Sequence, residues 1–151
     1  MDMNHSLGLI FSDSLKDVIS TVTGFAVEAS SQERDIEFGE ITGMMSLSGN
    51  KTGTLFVSSN EPDMRLLCSY MIGVPPEEVD KDDVYDTLCE IVNMTAGNVK
   101  LRLSDTDYAF SLSPPFVIKG DDMSIIAKRR TLIISRTLGN DKFSVKLKVI
   151  Y

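Results

Sequence analysis

The 151-residue sequence predicts an α+β fold, a mainly antiparallel β-sheet packed with helices. Three observations predict it. Apolar residues recur at helical spacing near residues 11–22, 60–73 and 82–102, which marks amphipathic helices with one buried stripe. Short runs rich in β-branched and aromatic residues are separated by Gly, Asn, Asp and Pro turn signals. Helices and strands fall into groups instead of alternating one for one, which disfavours a parallel sheet.

The first helix carries Phe11, Leu15, Val18, Ile19 and Val22, with Gly24 placed for a left-handed C-terminal residue. Residues 30–40 are polar and read as an excursion or a ragged edge strand. Residues 41–58 read as a hairpin, ITGMMSLS and TLFVSS around a Gly-Asn-Lys-Thr-Gly turn region. Asn60, before Pro62 and Asp63, starts a second helix bearing Met64, Leu67, Cys68, Met71 and Ile72, which Gly73 and Pro75 stop. Residues 74–83 form an acidic connector, and Asp82 or Asp83 caps the helix that follows to about residue 102. The remainder is strand-like. Tyr108, Phe110 and Leu112 alternate with other residues, PFVIKG and MSIIAK flank a Gly-Asp-Asp turn, and TLIISR precedes Gly139. The last segment alternates Phe143, Val145, Leu147 and Val149 against Ser144, Lys146 and Lys148, which suits a strand at or near a sheet edge, its lysines discouraging stray pairing. A single domain spanning 1–151 is the default at this length.

Composition narrows the function classes. The net charge is -7, the wrong sign for a nucleic-acid binder of this size. Residues 1–90 hold 17 acidic and 5 basic side chains, residues 91–151 hold 5 and 10. This asymmetry either steers a partner or is simply a solvated surface. One His and two Cys make a protein-only zinc site a poor reading. No apolar run approaches a membrane span of about 18 residues. Cys68 and Cys89 fall at apolar helical positions, as small buried hydrophobes do, and suit a reducing, cytoplasmic setting. The N-terminus, with no basic n-region, does not read as a signal peptide.

The segment DDVYDTLCEIVNMTAGNVKLRL has two faces. Val84, Leu88, Ile91, Val92, Thr95, Ala96, Val99 and Leu103 form a core stripe. Asp86, Glu90, Asn93, Gly97 and Lys100 form a second stripe, on which Glu90 and Asn93 are surface neighbours. A polar stripe is what any surface helix shows, but Asn is a mediocre mid-helix residue and Gly costs about 1 kcal/mol against Ala there. Gly97 either lets another surface approach or permits close packing within the fold. No Ser-His-Asp set is available, since the one His is His5 in the N-terminal tail, and GNKTG and LGNDK lack phosphate-loop spacing. An amide and a carboxylate can orient a water and pair with a partner's cation, which is much of what phosphoryl-transfer catalysis requires.

Asp86, Glu90 and Asn93 in DTLCEIVNMTAGN match the Asp/Ser-x-x-x-Glu-x-x-Asn signature of the CheC/CheX/FliY chemotaxis phosphatases. NMTAGNVKLRL and LSPPFVIKGDDMSI resemble the CheX branch, and the other elements fall in the expected order along nearly the whole chain. The resemblance implies a CheC/CheX-like fold, a homodimer, and hydrolysis of the aspartyl phosphate on the receiver domain of a chemotaxis-type response regulator. Asn93 would orient the attacking water and Glu90 would engage a receiver lysine. Asp86, Gly97 and Lys100 are candidate partner-docking residues. No cofactor of its own is implied, and magnesium would sit on the phosphorylated partner. The first helix offers only Asp13, Asp17 and Ser20 at the corresponding spacing, without the amide, which suits a single site. The alternative is a CheX-like module that docks on a receiver domain or flagellar-switch component without catalysis.

Overall fold

The computed structural model describes residues 2–34, 36–128 and 132–151. Helix α1 runs Met3–Thr23, capped by the Asp2 carboxylate, which accepts from Asn4 N–H, and closed by Gly24 at φ 77. It begins eight residues before the first periodic residue recognised in the sequence, so His5 lies on the helix and not in a tail. Leu7, one turn before Phe11, is 1% exposed and extends the buried stripe backwards. The edge strand β1, Glu28–Ala29, is short, and the following segment tracks along the sheet edge through Ser30 and Glu33. Strands β2 (Ile41–Gly49) and β3 (Gly53–Ser59) form the expected hairpin.

Helix α2, Glu61–Ile72, is capped by Asn60 Oδ1, which accepts from Asp63 N–H, and ends at Gly73 with φ 76. A 3₁₀ turn, Pro76–Glu78, interrupts the acidic connector. Helix α3 runs Lys81–Arg102. Its cap is Asp80, not Asp82 or Asp83. Asp83 instead closes a capping box, its carboxylate accepting from Asp80 N–H while Asp80 accepts from Asp83 N–H at 2.8 Å. Acidic residues in the first turn and Lys100 and Arg102 in the last complement the helix dipole. Strands β4 (Phe110–Ser111), β5 (Phe116–Lys119), β6 (Ile133–Gly139) and β7 (Ser144–Ile150) complete the chain.

The described strands form one antiparallel seven-stranded sheet ordered β1-β6-β7-β3-β2-β4, with β5 also on β2. Two expectations fail here. The last strand is central, paired with β3 on one side and β6 on the other. Its polar face is not an open surface: Lys148 is 8% exposed, its ammonium over the Phe38 ring, the stem covering apolar surface as long side chains can. MSIIAK is not a strand either, because β5 spends its pairing on Ile41–Met44 of β2. The segment after the turn lies over the far side of the sheet, where Ile125 packs with Ile36, Phe38 and Phe56. Thr131, the first residue of the expected TLIISR strand, lies outside the described residues.

The principal core fills the space between the sheet and α1, α2 and α3, with Phe11, Leu15, Met45, Leu55, Leu88 and Leu147 fully buried. Each such side chain contributes roughly 1.5–3 kcal/mol by leaving water. Gly43 in β2 sets how closely α3 approaches: a Cβ there would meet Val92 Cγ2 at 2.8 Å and Leu88 Cγ at 3.0 Å. The helix is seated directly on the strand backbone.

Candidate functional site on helix α3

All eight residues of the predicted apolar stripe on α3 are buried, so the opposite stripe is turned to solvent. Asp86, Glu90, Asn93 and Lys100 are exposed and Gly97 is half-buried. At 3.6 residues per turn, Glu90 and Asn93 stand about 4.5 Å apart along the axis and about 60° apart around it. None of the side chains of Asp86, Glu90, Asn93 and Lys100 makes a hydrogen bond or ion pair with another described residue. The Asn93 side-chain amide therefore has no hydrogen-bond partner among the described residues, in a position where Asn weakens the helix.

The two readings of Gly97 are now separable. Nothing lies within 4 Å of the position a Cβ would occupy, so no contact inside the fold requires glycine. Its φ is not positive, so the backbone does not require it either. What remains is its effect on the surface: four residues after Asn93, it leaves the exposed face flat.

The helix carrying this face is held from both ends. Arg65 of α2 reaches Glu61 at 2.7 Å and also donates to the Val79 carbonyl just ahead of the α3 cap. At the other end Arg102 donates to Asp17 of α1 at 3.1 Å. That ion pair also occupies one of the three α1 residues at signature spacing, so α1 does not repeat the free stripe of α3.

Some residues at this surface were not anticipated. Ile72 was assigned to the apolar stripe of α2 but is 46% exposed, and Leu101, one turn beyond Gly97, is 78% exposed. With Met71, Asp83, Asp86, Thr87, Glu90 and Met94, Ile72 lines a shallow groove of about 340 Å³ between α2 and α3. The signal in the sequence was the end of α2 at Gly73, where a periodic apolar residue runs out of core to face.

Thiol chemistry has no support at either cysteine. Cys68 is buried, its S–H donating to the Asp83 carbonyl at 3.4 Å, and burial pushes its pKa up. Cys89 is half-buried instead of a core residue, and desolvation raises its pKa as well, with Asp86 adding to the effect. Reactive thiols need the opposite environment. Among the described residues no group of three or more His, Cys, Asp or Glu is placed to hold a metal ion. Among them also, no helix is long and apolar enough to cross a membrane.

The family model described as chemotaxis phosphatase CheX matches residues 41–136, from the start of β2 to the middle of β6 and including all of α3. The chain belongs to the CheX family. Solved structures share the fold over 93–99% of the chain. A CheC-like superfamily protein from Shewanella sp. PV-4 superposes with a TM-score of 0.82 at 24% identity, over 99% of this chain and 98% of that one. The chemotaxis protein CheX from Vibrio vulnificus gives 0.79 at 21% identity, over 93% and 95%. The CheX–CheY–BeF3–Mg2+ complex from Borrelia burgdorferi gives 0.79 at 20%, over 93% and 94%. A comparison with curated protein sequences returned no match.

Proposed function

We propose that this CheX-family chain, acting as a single domain over 1–151, hydrolyses the aspartyl phosphate of a response-regulator receiver domain, with Asn93 and Glu90 as its working residues. The observation that carries this is the free, exposed Asn93 amide beside Glu90 on a helix anchored at both ends. Family membership and the existence of a Borrelia burgdorferi CheX–CheY complex of the same fold support it.

In this mechanism the exposed face of α3 enters the receiver's phosphorylation site. The Asn93 carboxamide oxygen accepts a hydrogen bond from a water and holds its lone pair toward phosphorus, opposite the aspartyl oxygen. The water oxygen bonds to phosphorus as the bond to the aspartyl oxygen breaks, leaving inorganic phosphate and a free carboxylate. The Glu90 carboxylate pairs with a receiver lysine and fixes the register of the two proteins, as charge pairs across interfaces do. Asp86 and Lys100 flank the contact, and Gly97 admits the partner's surface. Magnesium, held by the partner, would neutralise charge on the transferring phosphoryl group. The setting proposed is the cytoplasm, and the assembly proposed is a homodimer.

The test is phosphate release from a receiver domain charged with acetyl phosphate. Release accelerated by catalytic amounts of this chain supports the reading, and docking without acceleration replaces it with a non-catalytic binding module. Sedimentation showing only a 16.7 kDa species at tens of micromolar would count against the dimer.

A further inference from the structure

The signature residues say where chemistry would occur but not which receiver is accepted. The groove between α2 and α3 adjoins them, sharing Glu90 and Asp86 with the exposed stripe. Its apolar part is Met71, Ile72 and Met94, and its charged part is Asp83, Asp86 and Glu90. Among the described residues no lysine or arginine lines it. The C-terminal end of α2 adds to the negative field, because its last turn holds no basic residue to offset the dipole. An exposed isoleucine next to two methionines is an adaptable apolar contact, and three carboxylates beside it select a cation.

We infer that this groove docks a segment of the receiver domain presenting a lysine or arginine beside an aliphatic side chain, and that Ile72 is a specificity-determining contact. The inference rests on the receiver-phosphatase reading. The long stem of the basic side chain lies along Met71 and Met94 while its head meets Asp83 and Asp86. The aliphatic neighbour covers Ile72. Glu90 then stands at the junction, one oxygen-bearing group serving the rim of the groove and the edge of the chemistry. Asn93, three residues on, is outside the groove. Docking strength and turnover are thereby assigned to different residues.

Ile72 offers a clean test, because it is exposed at the end of α2 and its replacement leaves the core intact. Ile72→Lys and Ile72→Glu remove the same apolar contact but place opposite charges in the groove. Binding of the beryllofluoride-activated receiver is titrated for each, alongside KM and kcat for phosphate release. Ile72→Lys is expected to raise Kd and KM about tenfold, and Ile72→Glu less than about threefold, with kcat unchanged in both. Equal effects of the two variants would refute the basic partner segment. Wild-type Kd in both would refute the groove as a docking site. If the wild-type chain binds the receiver but releases no phosphate, the hydrolytic reading fails and the Kd pair still decides the groove. If it binds no receiver, both fail.

Discussion

Replacing Gly97 with alanine adds one methyl group at the apex of the exposed face of α3. Within the protein that methyl meets nothing, since the space within 4 Å of the new Cβ is empty. The helix itself gains about 0.8–1.0 kcal/mol from the better propensity of alanine. For a chain of this size each kcal/mol raises Tm by roughly 2–4 °C, so a rise of about 2–4 °C is expected. The proposed partner, however, approaches this surface. A methyl inserted into a closely packed contact costs roughly 1–3 kcal/mol, which corresponds to a loss of about 5- to 150-fold in kcat/KM. Stability and activity should therefore move in opposite directions. Thermal unfolding and phosphate release from a charged receiver, measured on the same preparation, give both numbers. A raised Tm with unchanged kcat/KM would show that no partner approaches Gly97. A Tm that falls would show that the glycine has a structural role after all.

Gly43→Ala should destabilise the fold by roughly 1–3 kcal/mol, because its Cβ would strike Val92 and Leu88 and lift α3 off β2; denaturant unfolding measures it, and an unchanged midpoint would refute the close seating. Cys68 and Cys89 changed to Ala should leave turnover per folded molecule intact, and in the folded wild type Cys68 should react slowly with a thiol reagent near neutral pH, given its burial and raised pKa. Loss of turnover in well-folded variants would reopen thiol chemistry. Glu90→Ala should weaken both receiver binding and turnover, since its proposed partner is a cation across the interface, whereas Asp86→Ala should weaken binding through the groove and leave kcat unchanged; a titration beside the rate assay separates the two, and wild-type binding by Glu90→Ala would remove the lysine pairing.

How much of this was legible in the sequence differs by element, for physical reasons. Both faces of α3 were readable, because a 22-residue helix samples its period several times and every apolar-stripe residue is buried. The start of α1 was not, because the pattern before Phe11 is diluted by Gly8, which is buried although it carries no apolar side chain. Alternation in β7 identified a strand but could not say what covers its second face. There Lys148 lies over Phe38, supplied by a segment more than a hundred residues earlier. The MSIIAK segment has strand composition, but partner choice is tertiary: β2 accepts β5, and the following residues cap the far side of the sheet instead. The stripe residues Asp86, Glu90, Asn93, Gly97 and Lys100, of which the first three carry the signature, were placed on one face from spacing alone. The groove beside them was invisible, because Met71 and Ile72 fit the apolar period of α2 and only the end of that helix exposes Ile72. Gly97 needed coordinates as well, since only the empty space around it separates an internal packing role from an external one.

The most direct measurement is single-turnover phosphate release with Asn93→Ala. The substitution removes an amide that is exposed and bonded to no described residue, and alanine is the better helix former, so Tm should stay level or rise slightly. Receiver binding should change less than about twofold, because the amide's proposed work is on the attacking water, an interaction realised in the transition state and not in the docked ground state. The rate should fall by about 10²–10³, the scale of losing one positioned polar group at a reacting centre. A wild-type rate in a folded, receiver-binding Asn93→Ala variant would contradict the catalytic role proposed for α3.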